Sequence, residues 1–164
     1  MMDKTILVTV HGSHLYGLNH SESDVDFFRV VESDLRTEQV VSGGFDVVTM
    51  GLKSFLRHVF DGSHQSCEAL FSPVAYIDPK YRSFFAGIRV TGEDAFARYR
   101  RTIHSFSYGD GKKRRHAVRL GYNLRDLRYA GRFNPEMTED QILKIGVLSN
   151  LYRGQSLYDI ASNF

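Results

Sequence analysis

The stretch TILVTVHGSHLYGLNHSESDVDFFRVV, Thr5 to Val31, decides the fold. Its first six residues, Thr5 to Val10, are β-branched and apolar with little polar interruption, the pattern of a strand buried on both faces. Gly12 and Ser13 break that run, and His14 to Leu18 can form a short helix. Val25 to Val31 reads as a second strand. Between the two strands lie a small hydroxyl-bearing turn and two carboxylates, Asp24 and Asp26, one residue apart.

Outward from this stretch, Gln39 to Val41 and Phe45 to Met50 flank Ser42-Gly43-Gly44, a hairpin signal that makes Phe45 to Met50 a third long strand. Helical spacing follows in Leu52, Phe55, Leu56, Val59 and Phe60, stopped by Asp61-Gly62. A second helix holds Cys67, Ala69, Leu70 and Phe71 and ends at Pro73. Asp78-Pro79 opens a turn toward Tyr81, Phe84 and Phe85. Glu93 to about Phe106 and Lys112 to Ala130 read as long helices separated by a loop at Tyr108 to Gly111. Thr138 and Gln141 have capping-box spacing for one more. Strands precede helices, an α+β layout with a small mixed sheet flanked by helices and a helical C-terminal half. The expected organisation is a single domain over residues 1–164, with a sheet-bearing core at 1–75 and a mainly helical extension at 76–164.

The 164 residues suffice for a sizeable core. No apolar run approaches the roughly 20 residues of a membrane span, and the first residues lack the pattern of a signal peptide. Cys67 stands alone, so neither an internal disulfide nor a cysteine-built metal cage is available. These features favour a cytoplasmic protein with no membrane partner. A net charge of +2 excludes a global polyanion binder, although the acids gather early and the arginines late.

Alternate strand residues share a face, so Asp24 and Asp26 project together if Val25 lies in a strand. Two carboxylates held this close repel, and one tends to take up a proton. A hard divalent cation, Mg²⁺ or Mn²⁺, relieves the repulsion and typically shares its coordination with substrate phosphates. Two-metal phosphoryl transfer wants a third acid from a neighbouring strand. Asp46, between Phe45 and Val47, is the only acid inside the third strand. The same three residues also fit a turn acid, a solvated strand acid and the turn side of a hairpin. Gly12-Ser13 precedes a helix start, where free N–H groups and the dipole favour phosphate; Ser13 can equally be a plain helix cap.

Gly12-Ser13, Tyr16-Gly17 and Ser23-Asp24-Val25-Asp26 together resemble the G-S…G…S-D-x-D signature of the DNA polymerase β-like nucleotidyltransferase superfamily. The likeness is closer to its RNA-repair-pathway branch, through Gly12-Ser13-His14-Leu15-Tyr16-Gly17-Leu18, through FDVVTMGLKSFLRHVFDGSHQSCEALFSP, and through Lys112, His116 and Arg119 in a K-x-x-x-H-x-x-R helix. The resemblance implies transfer of a nucleotide monophosphate from an NTP, ATP among them, to an acceptor with release of pyrophosphate. It implies Asp24, Asp26 and Asp46 as catalytic metal ligands for Mg²⁺ or Mn²⁺. Gly12, Ser13 and Tyr16, with Lys112, His116 and Arg119, would bind the nucleotide. The acceptor could be an RNA or DNA end, a tRNA or a protein side chain. Two other readings stand beside it: a nucleotide- or nucleic-acid-binding module with an idle site, and a toxin–antitoxin-type nucleotidyltransferase that modifies a partner protein.

Lys112, His116, Arg119 and Asn123 fall on one stripe of their helix, beside an apolar face of Leu120, Leu124 and Leu127. Arg114, Arg125, Arg128 and Arg132 lie roughly opposite, as a solvated face or a nucleic-acid-facing patch. Glu68 sits in an apolar helix segment, which calls for a basic partner such as Lys112 or Arg119. His11 and His14 lack further ligands at metal spacing.

Overall fold

The computed structural model describes residues 3–19 and 23–164. Among them the chain forms five strands, β1 (Thr5–His11), β2 (Val25–Val31), β3 (Glu38–Ser42), β4 (Phe45–Gly51) and β5 (Tyr76–Ile77). The helices are α1 (Ser13–Tyr16), α2 (Leu52–Phe60), α3 (His64–Phe71), α4 (Arg82–Ala86), α5 (Glu93–Ser107), α6 (Gly111–Ala130), α7 (Glu139–Leu151) and α8 (Gly154–Ala161). The fold is α+β, as the sequence suggests.

The sheet runs β3-β4-β2-β1-β5 and is mixed: β2 and β4 are parallel and every other pair is antiparallel. The β3–β4 hairpin turns at Gly43 and Gly44, both at positive φ, the conformation a tight hairpin needs and glycine adopts without steric cost. β2 sits at the centre with Phe28, Val30 and Val31 buried. α2 packs against β2 and β4, and α3 against β1. α6 is held by α5, α7 and α8. One apolar cluster runs from Ile6 and Phe28 in the sheet through Phe55 and Tyr99 to Leu120 and Leu157 in the helices. α6 therefore lies with its N-terminal half over the end of β1 and the turn after it, through Arg119 and His116 against Tyr16.

The N-terminal half follows the sequence expectation closely. α1 is a single turn, Ser13–Tyr16, shorter than His14 to Leu18 implied, because Gly17 at φ 80 closes it. β5 is too short to leave a pattern, and α8 adds a final helix beyond the one signalled at Thr138. Thr138 and Gln141 do form a reciprocal capping box. Among the described residues no helix is long and apolar enough to cross a membrane.

Candidate active site

Cross-strand register brings three titratable residues into one row. Asp26 on β2 lies opposite His11 on β1 and opposite Asp46 on β4, and residues paired across a sheet share a face. β2 and β4 are parallel neighbours, so Asp26 and Asp46 are the same number of residues into their strands. Both side chains are half-buried, whereas Asp24, just before β2, is exposed. Burial pushes the Asp26 carboxyl up, and the charges of Asp46 and Asp24 push it further, with His11 opposing. A like-charged carboxylate group of this kind is stabilised by a cation.

The turn after β1 is built around Asp26. Gly12 has φ 64 and ψ −148, and a Cβ placed there would overlap Oδ2 of Asp26. Glycine is therefore required twice, for the dihedral and for the carboxylate lying over it. Gly12 is also the N-cap of α1, so Ser13 is the first helical residue and not the cap. The Gly12 carbonyl accepts from the N–H groups of Leu15, at 2.9 Å, and Tyr16, at 3.2 Å. The N–H groups of Ser13 and His14, at the head of the turn, have no helical carbonyl to reach.

A cavity of about 580 Å³ opens in front of this turn. Gly12, Ser13, Tyr16, Asp24 and Asp26 line one side, and Lys112, His116 and Arg119 line the other. Eight of the nine residues singled out from the sequence thus meet in one cavity. The ninth, Asp46, stands next to Asp26 but outside the lining, and its two carboxylate oxygens accept from Nε2 of Gln39 at 3.0 and 2.8 Å. Four lining residues were not anticipated: His64 and Gln65 at the start of α3, Phe106 near the end of α5, and Arg115. Arg115 lies three residues from Lys112, so helical spacing alone could have found it; the others come from separate elements.

Behind the cavity wall is a buried charge network. Glu68 is fully buried and pairs with Arg119, Oε1 to Nη1 at 2.5 Å. Its other oxygen accepts the Tyr16 hydroxyl at 2.5 Å and lies 3.2 Å from Nε2 of His11, at ion-pair distance but off hydrogen-bond geometry. The Arg119 guanidinium also stacks 3.6 Å above the Tyr16 ring. Burial alone would raise the Glu68 carboxyl, yet the adjacent Arg119 charge and the imidazoles of His11 and His64 hold it well below the ordinary carboxylate range. Tyr16 and Arg119 are thus spent largely on each other and on Glu68, and they fix the α1 turn to α6.

Arg119 Nε donates to Nδ1 of His116 at 3.2 Å. A guanidinium N–H has no other role than donor, so Nδ1 of His116 is an acceptor and the ring hydrogen sits on Nε2. Burial, reinforced by the Arg119 charge, lowers His116 to about 3, so at neutral pH it is a fixed neutral donor. Acids thus occupy the sheet side of the cavity, while two cations, Lys112 and Arg115, occupy the helix side.

Among the described residues no three carboxylate, imidazole or thiolate groups meet closely enough to bond one ion by themselves. The Asp26–Asp46 pair with Asp24 beside it nevertheless suits a magnesium ion, which commonly takes one or two carboxylates and completes its shell with phosphate oxygens and water.

The second arginine group is partly tied down within the chain. Arg114 donates to the carbonyls of Ser149 and Gly109, Arg128 to that of Ser162, and Arg125 pairs with Asp126.

No protein-family model matches the chain, and no curated protein does either. Among solved structures it is similar to a nucleotidyltransferase-like protein from Exiguobacterium sibiricum, with a TM-score of 0.37, 10% identity and 96% of this chain covered. The chain spans 65% of that protein's length. At that degree of likeness the function is read from this chain's own side chains.

Proposed function

We propose that the protein is a metal-dependent nucleotidyltransferase that moves a nucleotide monophosphate from an NTP to a hydroxyl-bearing acceptor, a nucleic-acid end or a protein side chain, and releases pyrophosphate. The observation that carries this reading is the in-register pair Asp26 and Asp46, with Gly12 cut away beneath Asp26. Half-buried like charges on paired strand positions are costly to a fold, and a cation together with a polyphosphate turns that cost into binding.

In this reading Asp26 and Asp46, with Asp24 beside them, would hold Mg²⁺ or Mn²⁺ together with phosphate oxygens, and the ion would supply charge neutralisation at the triphosphate. Ser13, through its hydroxyl and N–H, binds phosphate oxygens from the sheet side. Lys112 and Arg115 neutralise them from the helix side, one as a point charge and the other as a fork. His116 donates from Nε2. The acceptor oxygen attacks the α-phosphorus, the bond to the β-phosphate oxygen breaks, and pyrophosphate leaves with that electron pair. Asp46 takes the acceptor's proton, its carboxylate held in place by Gln39. Such chemistry is mostly positioning and electrostatics, which a site of short acids and fixed donors provides.

The test is incubation with each α-labelled NTP and Mg²⁺ or Mn²⁺, separately with RNA, DNA, tRNA and protein acceptors. Label transfer that needs the divalent ion supports the enzyme. Nucleotide binding without transfer to any acceptor would instead make this a binding module.

A further inference from the structure

A second cavity, of about 630 Å³, lies at the opposite ends of α3 and α6 from the candidate active site. Its floor is aromatic: Phe71, Phe85 and Phe133 are buried there, and Phe71 and Phe133 meet edge to face at 5.2 Å. Tyr129, 92% exposed, stands at the rim. The volume falls within the range of small-molecule sites.

Two arginines, Arg82 and Arg132, line this cavity, and Arg89 adjoins it through the carbonyl of Ala86. Arg89 and Arg132 each donate Nη1 to the same carbonyl oxygen, that of Ala86, at 2.9 Å. Two guanidinium groups therefore sit side by side. The Arg132 guanidinium lies 5.1 Å above the Phe71 ring, and Arg82, on the wall, is fixed by the Ile77 carbonyl at 3.1 Å. Among the described residues none of the three pairs with a carboxylate. The one acid on the wall, Asp126, is taken by Arg125 at 2.9 Å. Burial lowers Arg132 below its ordinary value, and the Arg89 charge adds to this. Adjacent, pre-oriented and uncompensated guanidinium groups match an oxyanion such as phosphate.

We propose that this cavity is a second ligand site that takes a free 5′-mononucleotide, its phosphate on Arg89 and Arg132 and its base on the aromatic floor beside Tyr129. A base supplies the flat apolar face that the phenylalanines would cover, and arginine and aromatic groups together recognise both halves of a nucleotide. A single nucleotide matches the cavity's volume of about 630 Å³.

Equilibrium dialysis of the full chain with labelled AMP tests the site. An Asp26→Asn/Lys112→Ala background weakens the first cavity and keeps the two sites distinct. In that background one AMP per chain should still bind, with inorganic phosphate competing. Arg89→Ala/Arg132→Ala should weaken it about tenfold or more, the scale of losing charge-assisted hydrogen bonds. Tyr129→Ala, at a fully exposed position that does not threaten folding, should weaken AMP while leaving the affinity for inorganic phosphate unchanged. AMP binding that is equal in wild type and in both sets of variants would overturn the proposal. So would a single-stranded oligonucleotide that binds through the same arginines more than tenfold tighter than AMP.

Discussion

Glu68 and Arg119 form a fully buried ion pair, Oε1 to Nη1 at 2.5 Å, that joins α3 to α6 directly behind the candidate active site. The Tyr16 hydroxyl completes the Glu68 shell, so the turn that carries Gly12 and Ser13 is fastened to the helix that carries Lys112 and His116. Removing one member leaves the other charge buried and unpaired. Glu68→Gln or Arg119→Met should cost about 3–5 kcal/mol, read as a fall in the urea midpoint. Replacing both by apolar residues should cost much less. Because the folded-state carboxyl of Glu68 is depressed, its contribution is complete above the ordinary carboxylate range. It is lost progressively as the pH falls from there toward the folded value.

His116 supplies a separate pH signature. Its folded value of about 3 lies below the ordinary 6.5, so the unfolded chain takes up a proton first on acidification. Stability should therefore fall as the pH drops from about 6.5 toward 3. His116→Gln, neutral throughout, should flatten this part of the profile. In the wild type the His116 ring resonances should show no titration step between pH 5 and 8.

Asp26 works in the opposite sense. Burial and its acidic neighbours raise its carboxyl, so the folded state holds that proton more readily than the unfolded one. Its effect on stability is therefore most favourable below the ordinary aspartate range and is lost as the pH rises through the raised folded value. At neutral pH the charge is a liability to the fold. Asp26→Asn should raise stability by about 1 kcal/mol at pH 7, measured by urea denaturation without divalent ions. A decrease would contradict the assigned repulsion.

Gly12 tests the architecture of the turn. Its backbone lies in a region open essentially to glycine, and a methyl group there would collide with Asp26. Gly12→Ala should cost about 1–3 kcal/mol and should reduce nucleotidyl transfer by more than its effect on folding explains. Thermal denaturation and transfer rate, measured on the same preparation, separate the two.

Much of this was legible in the sequence. Thr5 to Val10 and Val25 to Val31 are uninterrupted apolar runs, and buried central strands leave that mark. Asp24 and Asp26 carry the strand period, so their common cavity follows from spacing. Their relation to Asp46 does not: it depends on parallel pairing of β2 with β4 across the β3 hairpin, and register between strands leaves no local trace. Glu68 needed a cation, but Lys112 and Arg119 share one helix stripe, and only docking depth sets Arg119 inside and Lys112 at the surface. His64, Gln65 and Phe106 reach the cavity from the ends of two other helices. The arginines of α6 looked like one face, yet backbone carbonyls and Asp126 claim most of them, and Arg132 joins Arg82 and Arg89 from a distant segment.

The central claim is that Asp26 and Asp46 act as one unit. The most direct measurement is the rate of nucleotidyl transfer, at saturating Mg²⁺, for Asp26→Asn, Asp46→Asn and the double variant. Residues that hold a shared reacting centre are strongly non-additive. Each single variant should therefore lose transfer almost completely, and the double variant should be no worse. An Asp46→Asn variant that transfers at the wild-type rate would contradict the account.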